Sequence, residues 1–200
     1  MRLVYEPILP KEYTRLEYLE AFSSTAVAYI SIPYTPNTNT NFEIKVRYNA
    51  ATTTSTWAMG ATTWWGVHLK SGTQIGITNS SATASKAYAN YTYGTDAILK
   101  LDGNSVYVNN VLVGTITKSN ATSTLDIFRY YNGSNLWWNG RIYYLKIDDG
   151  TTKINLIPAL RNSDLEPGMY DTESGTFYTN AGAGAFNYKV IENSDTVDNP

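Results

Sequence analysis

The chain has 200 residues, 42% of them hydrophobic and only 16% charged, enough to bury the core of one large domain. Its surface is built from Thr, Ser, Asn and Tyr rather than ions. Fifteen Lys and Arg against 17 Asp and Glu leave a formal charge of −2, which excludes the basic footprint of a nucleic-acid binder and disfavours an acidic membrane surface. The lack of Cys excludes disulfides, thiol nucleophiles and Cys-ligated metals, and a single His excludes a His-clustered metal site.

The first ten residues lack the basic start and apolar stretch of an export signal, and no apolar run approaches the roughly 20 residues of a membrane helix. No membrane insertion is expected. A chain of this kind released by lysis, as virion parts are, would still reach an extracellular surface.

In chain order, residues 10–22 are ambiguous. Leu16 and Leu19 share a helix face at their spacing, yet Leu16 and Tyr18 also alternate with Glu17 and Leu19 as a strand would. Residues 36–41 and 50–56 are Thr, Ser and Asn clusters that read as exposed loops. Between them, Phe42, Ile44, Val46 and Tyr48 alternate with Glu43, Lys45 and Arg47, a half-buried strand. Strands are also expected at 65–69, 74–78 and 88–93. Residues 96–116 form a three-strand meander over 97–101, 105–108 and 111–116, with turns at Asp102-Gly103 and Asn109-Asn110 supplying the positive φ that short hairpins require. Further strands follow at 125–131, 140–147, 153–159 and 176–179. The aromatic-free tail is expected to be loosely ordered or to contact a partner. About a dozen short strands with frequent turn signals predict an all-β, two-sheet antiparallel β-sandwich, a single domain over 1–190 with a polar tail over 191–200.

Four blocks carry a family resemblance. They are the opening Leu9-Pro10-Lys11-Glu12-Tyr13, the Leu101-Asp102-Gly103 turn leading to Val108-Asn109-Asn110, the run Trp138-Asn139-Gly140-Arg141-Ile142, and the closing Gly168-Met169-Tyr170-Asp171 followed by Gly182-Ala183-Gly184-Ala185-Phe186. Together, over residues 9–186, they resemble the concanavalin A-like (laminin G-like) jelly rolls of phage tail and gut-bacterial surface proteins. Asn110 stands where those domains usually carry Gly, a change a left-handed Asn can absorb. The resemblance implies a two-sheet jelly roll with adjacent termini. It fixes no ligand residues, because the superfamily hosts lectins, glycosidases, adhesins and passive modules.

Tests for chemistry come back empty. Glycosidases of this fold display paired carboxylates on a Glu-x-Asp-x-Glu strand, and no such pattern occurs. Asp164, Glu166, Asp171 and Glu173 fall in turn-forming sequence, where a structural role is favoured. His68, between Val67 and Leu69, is expected mid-strand as a hydrogen-bonded or surface imidazole, and no Gly-x-Ser-x-Gly elbow accompanies it. Asp96, Asp126, Asp148 and Asp149 could supply oxygen to calcium, but their spacing fits no compact loop. Asp148-Asp149-Gly150 reads instead as a hairpin turn. No cofactor or metal is assigned.

The informative signal is aromatic. Five Trp and 17 Tyr exceed what a sandwich core needs. Neighbours on a strand point to opposite faces, so where Trp64-Trp65 and Trp137-Trp138 are extended, one ring of each pair enters the core and the other faces outward. Trp57, Trp64, Trp65, Trp137 and Trp138, with Tyr88, Tyr91 and Tyr93, are the candidate platforms for the CH face of a sugar or for a protein interface. The expectation is a non-catalytic module, a virion or surface protein that attaches to cell-surface carbohydrate. The alternatives are a structural part packing on other virion proteins or in a homo-oligomer and, less favoured, a glycoside hydrolase.

Overall fold

The computed structural model describes residues 8–22, 28–49, 56–70, 73–79, 85–131 and 135–191, with the side chains of 131 and 135–137 outside that description. Its strands in chain order are β1 (Tyr13–Ala21), β2 (Ile30–Ile32), β3 (Asn41–Tyr48), β4 (Thr56–Ala61), β5 (Trp65–Lys70), β6 (Gln74–Asn79), β7 (Lys86–Asn90), β8 (Asp96–Asp102) and β9 (Ser105–Val108). They continue with β10 (Val111–Thr115), β11 (Leu125–Ile127), β12 (Arg129–Tyr131), β13 (Asn135–Trp137), β14 (Gly140–Asp148), β15 (Lys153–Arg161), β16 (Glu166–Asp171), β17 (Phe177–Thr179) and β18 (Asn187–Val190).

Two antiparallel sheets result. One has ten strands in the order β10-β9-β8-β3-β14-β1-β15-β16-β17, with β18 added on β1. The other has six, β2-β11-β4-β5-β6-β7. A separate β12–β13 hairpin packs against β4.

The alternation read along residues 41–48 is realised in β3, whose Phe42, Ile44, Val46 and Tyr48 are buried while the residues between them face out. They join Leu99, Leu101, Leu145 and Ile147 of the large sheet against Met59, Val67, Leu69, Ile75 and Ile77 of the small one. Each fully buried Leu or Ile contributes about 1.5–3 kcal/mol relative to exposure, which makes this interlayer core the main stabilising element. The expected turns are present: Asn109 and Asn110 take φ of 50° and 65° between β9 and β10, and Gly103 takes 55° between β8 and β9. Gly150 takes 86° after Asp148-Asp149.

The ambiguous segment near the start is strand. β1 is hydrogen-bonded to β14, β15 and β18, and that pairing decides between two periodicities the sequence leaves open. It also brings the first and last strands side by side.

Three expectations change. The run 125–131 is broken, because Phe128 turns left-handed (φ 70°) and buries its ring against Phe186, separating β11 from β12. The run 88–93 stops at Asn90, since the Tyr91 phenol instead accepts from the Tyr48 N–H at 2.8 Å and donates to the Thr95 carbonyl at 2.7 Å. In the 36–41 loop Thr40 is buried, its hydroxyl sharing a 2.6 Å bond with that of Tyr34 and accepting from the Asn37 N–H at 2.8 Å. Strand β4 is buried along its length and shows no alternation, because both of its faces are covered. The loop expected over 50–56 lies outside the described residues except for Thr56, which is strand, and the expected tail over 191–200 lies outside them except for Ile191.

Candidate functional site

The small sheet's inward face is apolar; its outward face is a line of rings. In register across the strands, Trp57 of β4 opposes His68 of β5, His68 opposes Gly76 of β6, and Gly76 opposes Tyr88 of β7. Residues so opposed share a face. The Trp57 and His68 rings lie 4.5 Å apart, His68 and Tyr88 5.2 Å edge-on, and the Tyr88 hydroxyl is 3.0 Å from His68 Nε2. From β12, Tyr130 stacks on Trp57 at 4.4 Å and on Trp64 at 5.6 Å. A continuous ladder therefore runs Trp64, Tyr130, Trp57, His68, Tyr88.

Glycines make room for it. A Cβ on Gly60 would fall 2.7 Å from the Tyr130 ring, and one on Gly76 would fall 2.5 Å from the Tyr88 ring and closer still to the Ala87 carbonyl. Tyr130 and Tyr88 can lie flat over bare backbone, the arrangement in which an aromatic neighbour covers a strand glycine.

The middle of the ladder is dry. Burial pulls His68 down to about 3, with help from Lys86 and Lys70, so the imidazole is neutral. Burial also pushes the Tyr88 phenol up to about 12. Only the Trp64 end opens broadly to solvent, with 39% of that residue exposed.

Trp64 sits at the tip of the β4–β5 hairpin, where Thr63 and Trp64 both take left-handed φ, 69° and 63°. Such angles are outliers for β-branched and bulky residues and cost on the order of 1–3 kcal/mol each. The surroundings hold them. The Thr62 N–H donates to Ser123 Oγ at 2.9 Å, and the Thr62 and Thr122 hydroxyls share a 2.7 Å bond. The Thr63 hydroxyl donates to the Thr62 carbonyl at 2.5 Å. The Trp64 N–H donates to the Tyr130 hydroxyl at 3.2 Å, and the Thr78 hydroxyl donates to the Trp64 carbonyl at 2.5 Å. The exposed indole is thereby fixed before any ligand arrives.

Beside the tip lies a polar pocket of about 170 Å³ lined by Ser31, Thr62, Ser123, Thr124, Asp126 and Arg129, floored by Gly60 and Ala61. Asp126 is buried and accepts from Arg129 Nε at 2.7 Å. The Arg129 guanidinium lies 3.2 Å over the Tyr29 ring, which fixes its plane. At ~30 Å³ per water the pocket holds a few waters or one small polyhydroxylated unit. Hydroxyls that both donate and accept, and a carboxylate with its second oxygen alongside, suit such a unit.

The eight aromatic candidates separate. Trp57, Trp64 and Tyr88 come together in the ladder. Trp65 and Trp138 lie between the sheets, against Phe42 at 5.4 Å and Tyr48 at 4.7 Å, and offer no surface to a ligand, which corrects their place among the platforms. Trp57 is equally buried, as a support beneath Tyr130. Tyr91 and Tyr93 pack against the core at the far end, Tyr93 at 5.8 Å from Tyr48. One ring of Trp64-Trp65 is out and one in, but not by strand alternation, because Trp64 is a left-handed turn residue before β5 begins; the Trp137 side chain lies outside the described residues. Sequence reasoning counted Tyr130 among the surplus aromatics but not among the platforms, passed over Arg129 and the hydroxyl residues, and weighed Asp126 only as a calcium ligand. The available signal was glycine at 60, 66 and 76 in strands otherwise rich in large residues.

The acidic group near the end of the chain is structural where its partners are described. Asp171 accepts from the Asn155 N–H at 2.9 Å and the Ser174 hydroxyl at 2.6 Å, and Asp164 pairs with Arg161 at 2.7 Å.

Solved structures share this fold at low identity. One is a provisionally assigned carbohydrate-binding protein of Bacteroides ovatus, with a TM-score of 0.61 and 11% identity over 90% of this chain and 61% of that protein, so the chain spans about three fifths of its length. Another is the heptameric SAP-like pentraxin of Limulus polyphemus, with a TM-score of 0.56 and 11% identity over 88% of this chain and 95% of that one. The fold is the concanavalin A-like sandwich. At such identity the likeness reaches the fold and stops there. No protein-family model matches the chain, and no curated protein matches its sequence.

Proposed function

We propose that the protein is a non-catalytic carbohydrate-binding module whose site is the β4–β5 tip. Trp64 is the stacking platform, and the Asp126–Arg129 pocket bonds the hydroxyls of the same or the adjoining sugar. The observation that carries this reading is a solvent-open indole locked in a strained, hydrogen-bonded turn beside a buried carboxylate–guanidinium pair. Strain of this kind gathers at ligand sites, and a rigid aromatic with few rotamers to lose binds at low entropic cost. The Bacteroides ovatus protein's description as carbohydrate-binding agrees with it. A place on a virion or another extracellular surface belongs to the same reading, on the resemblance to phage and gut-bacterial surface domains alone.

Titration against an array of host cell-surface glycans tests it. The protein binds one or more neutral glycans, Trp64→Ala weakens that binding at least about ten-fold, equivalent to ~1.4 kcal/mol, and Asp126→Asn weakens it independently. Binding that is absent, or unchanged in both folded variants, overturns the site.

A second reading, a structural part that packs on copies of itself or on neighbouring proteins, is favoured by strand β10. It forms one edge of the large sheet and leaves Val111 and Leu112 exposed, an unprotected edge of the type that recruits another chain. Light scattering of wild type against Leu112→Lys separates the two readings.

A further inference from the structure

The outward face of the large sheet carries a second recess, unrelated to the aromatic tip. A cleft of about 550 Å³ lies over the ends of β3, β8, β14 and β15, and a neighbouring one of about 510 Å³ continues it toward the β14–β15 turn, the two sharing Asn41 and Asp148. Both fall within the size range of ligand sites.

Its floor is a register-matched array. Lys100 opposes Glu43, Glu43 opposes Lys146, and Lys146 opposes Asn155. One step along, Asn41 opposes Asp148, which opposes Lys153.

The charges are not evenly satisfied. Asp102 pairs with Lys100 at 2.8 Å, and Asp148 pairs with Lys153 at 3.7 Å while accepting the Gly150 N–H. Glu43 accepts from the Tyr144 hydroxyl at 2.8 Å. Asp149 accepts from the Thr151 and Thr152 N–H groups, Asn37 and Tyr34. Apart from exposed Glu173, each acid of the recess is thus held by the protein. Among the described residues, two cations have no acid within ion-pair distance. Lys118 is half-buried and, among the described residues, donates to the neutral Asn41 Oδ1 at 2.9 Å, and burial pulls its amine below the usual lysine value against the pull of Asp102. Lys146 is exposed, lies over the Tyr144 ring at 5.2 Å and forms no ion pair among the described residues. Asn41 and Lys146 are diagonal cross-strand neighbours, about 7–8 Å apart.

A half-buried cation with no acid in contact, as at Lys118, is only partly compensated and favours an anion that can reach it. The bound acids around it repel a dense polyanion but leave lone pairs to accept hydroxyl protons. We infer that this recess binds an acidic saccharide, a chain with one carboxylate per sugar unit, through Lys118 and Lys146 and independently of Trp64.

The test uses the full chain and two probes, an oligogalacturonate and the same oligomer fully methyl-esterified. Wild type is expected to bind the acid form at least ten-fold more tightly than the ester, Lys118→Gln/Lys146→Gln to lose that preference, and Trp64→Ala to keep it. Amide shifts on adding the acid form are expected near Asn41, Gly103 and Gly150. No binding of the acid form, equal binding of both forms, a preference that survives the double lysine variant, or shifts confined to the β4–β5 tip would overturn the inference.

Discussion

The two outward faces of the sandwich solve the same problem with opposite chemistry. On the small sheet, rings lie over glycines and exclude water, so that His68 is neutral and Tyr130 is fixed between two indoles. On the large sheet, Lys45 and Arg47 reach Asp96 at 2.8 and 2.7 Å, and Arg141 reaches Glu20 at 2.8 Å, in networks that remain partly solvated. Burial pushes Asp96 up, but hydrogen bonds from Lys45, Arg47 and Tyr143 outweigh it and hold the carboxyl below its usual range. The first face is rigid because packing makes it so; the second is adaptable because its partners are interchangeable in water.

Substitutions can break this contrast, beginning with the largest effect. Gly76→Val on the aromatic face forces a side chain into the Ala87 carbonyl and Tyr88, and is expected to cost about 3 kcal/mol or more in urea unfolding. Acid comes next. His68 binds its proton near 6.5 when unfolded and near 3 when folded, so the unfolded state takes up the proton first as pH falls. The stability His68 confers is complete above pH ~6.5 and declines as pH drops toward ~3, by on the order of a few kcal/mol. Chemical melts of wild type and His68→Gln across that window should differ in slope, and parallel curves would show a hydrated imidazole.

Tyr130→Phe keeps the stack but removes the acceptor for the Trp64 N–H. It is expected to cost about 1 kcal/mol in stability and to loosen any glycan complex of the tip, with calorimetry as the readout. Lys45→Gln on the charged face should move the melting midpoint least, by under about 0.5 kcal/mol; a larger loss would mean that the two faces are more alike than their chemistry suggests.

The same contrast explains what could be read from the chain. The large sheet was legible where period two met one wet face, as in β3 and in the β8–β9–β10 meander. The site was half legible. Surplus aromatics pointed to rings outside the core, yet nothing in residues 61–65 announces a turn, since Thr63 and Trp64 occupy φ values that local preference reserves for Gly and Asn. Long-range hydrogen bonds to Ser123 and Tyr130 and from Thr78 impose them. Likewise Trp57 read as a candidate platform, yet β12 folds over it and Tyr130 covers its ring, a contact set by the left-handed Phe128.

The pairing of β1 with β18 has a mechanical side. The strands run antiparallel, with Leu16 opposite Val190 and Glu20 opposite Asn187, so tension applied at Tyr13 and Val190 opens their hydrogen bonds singly, like a zip, at low force. The peeled β18 would leave β1 still stitched to β14 and β15, and the sandwich carrying Trp64 would stay folded on a slightly longer leash.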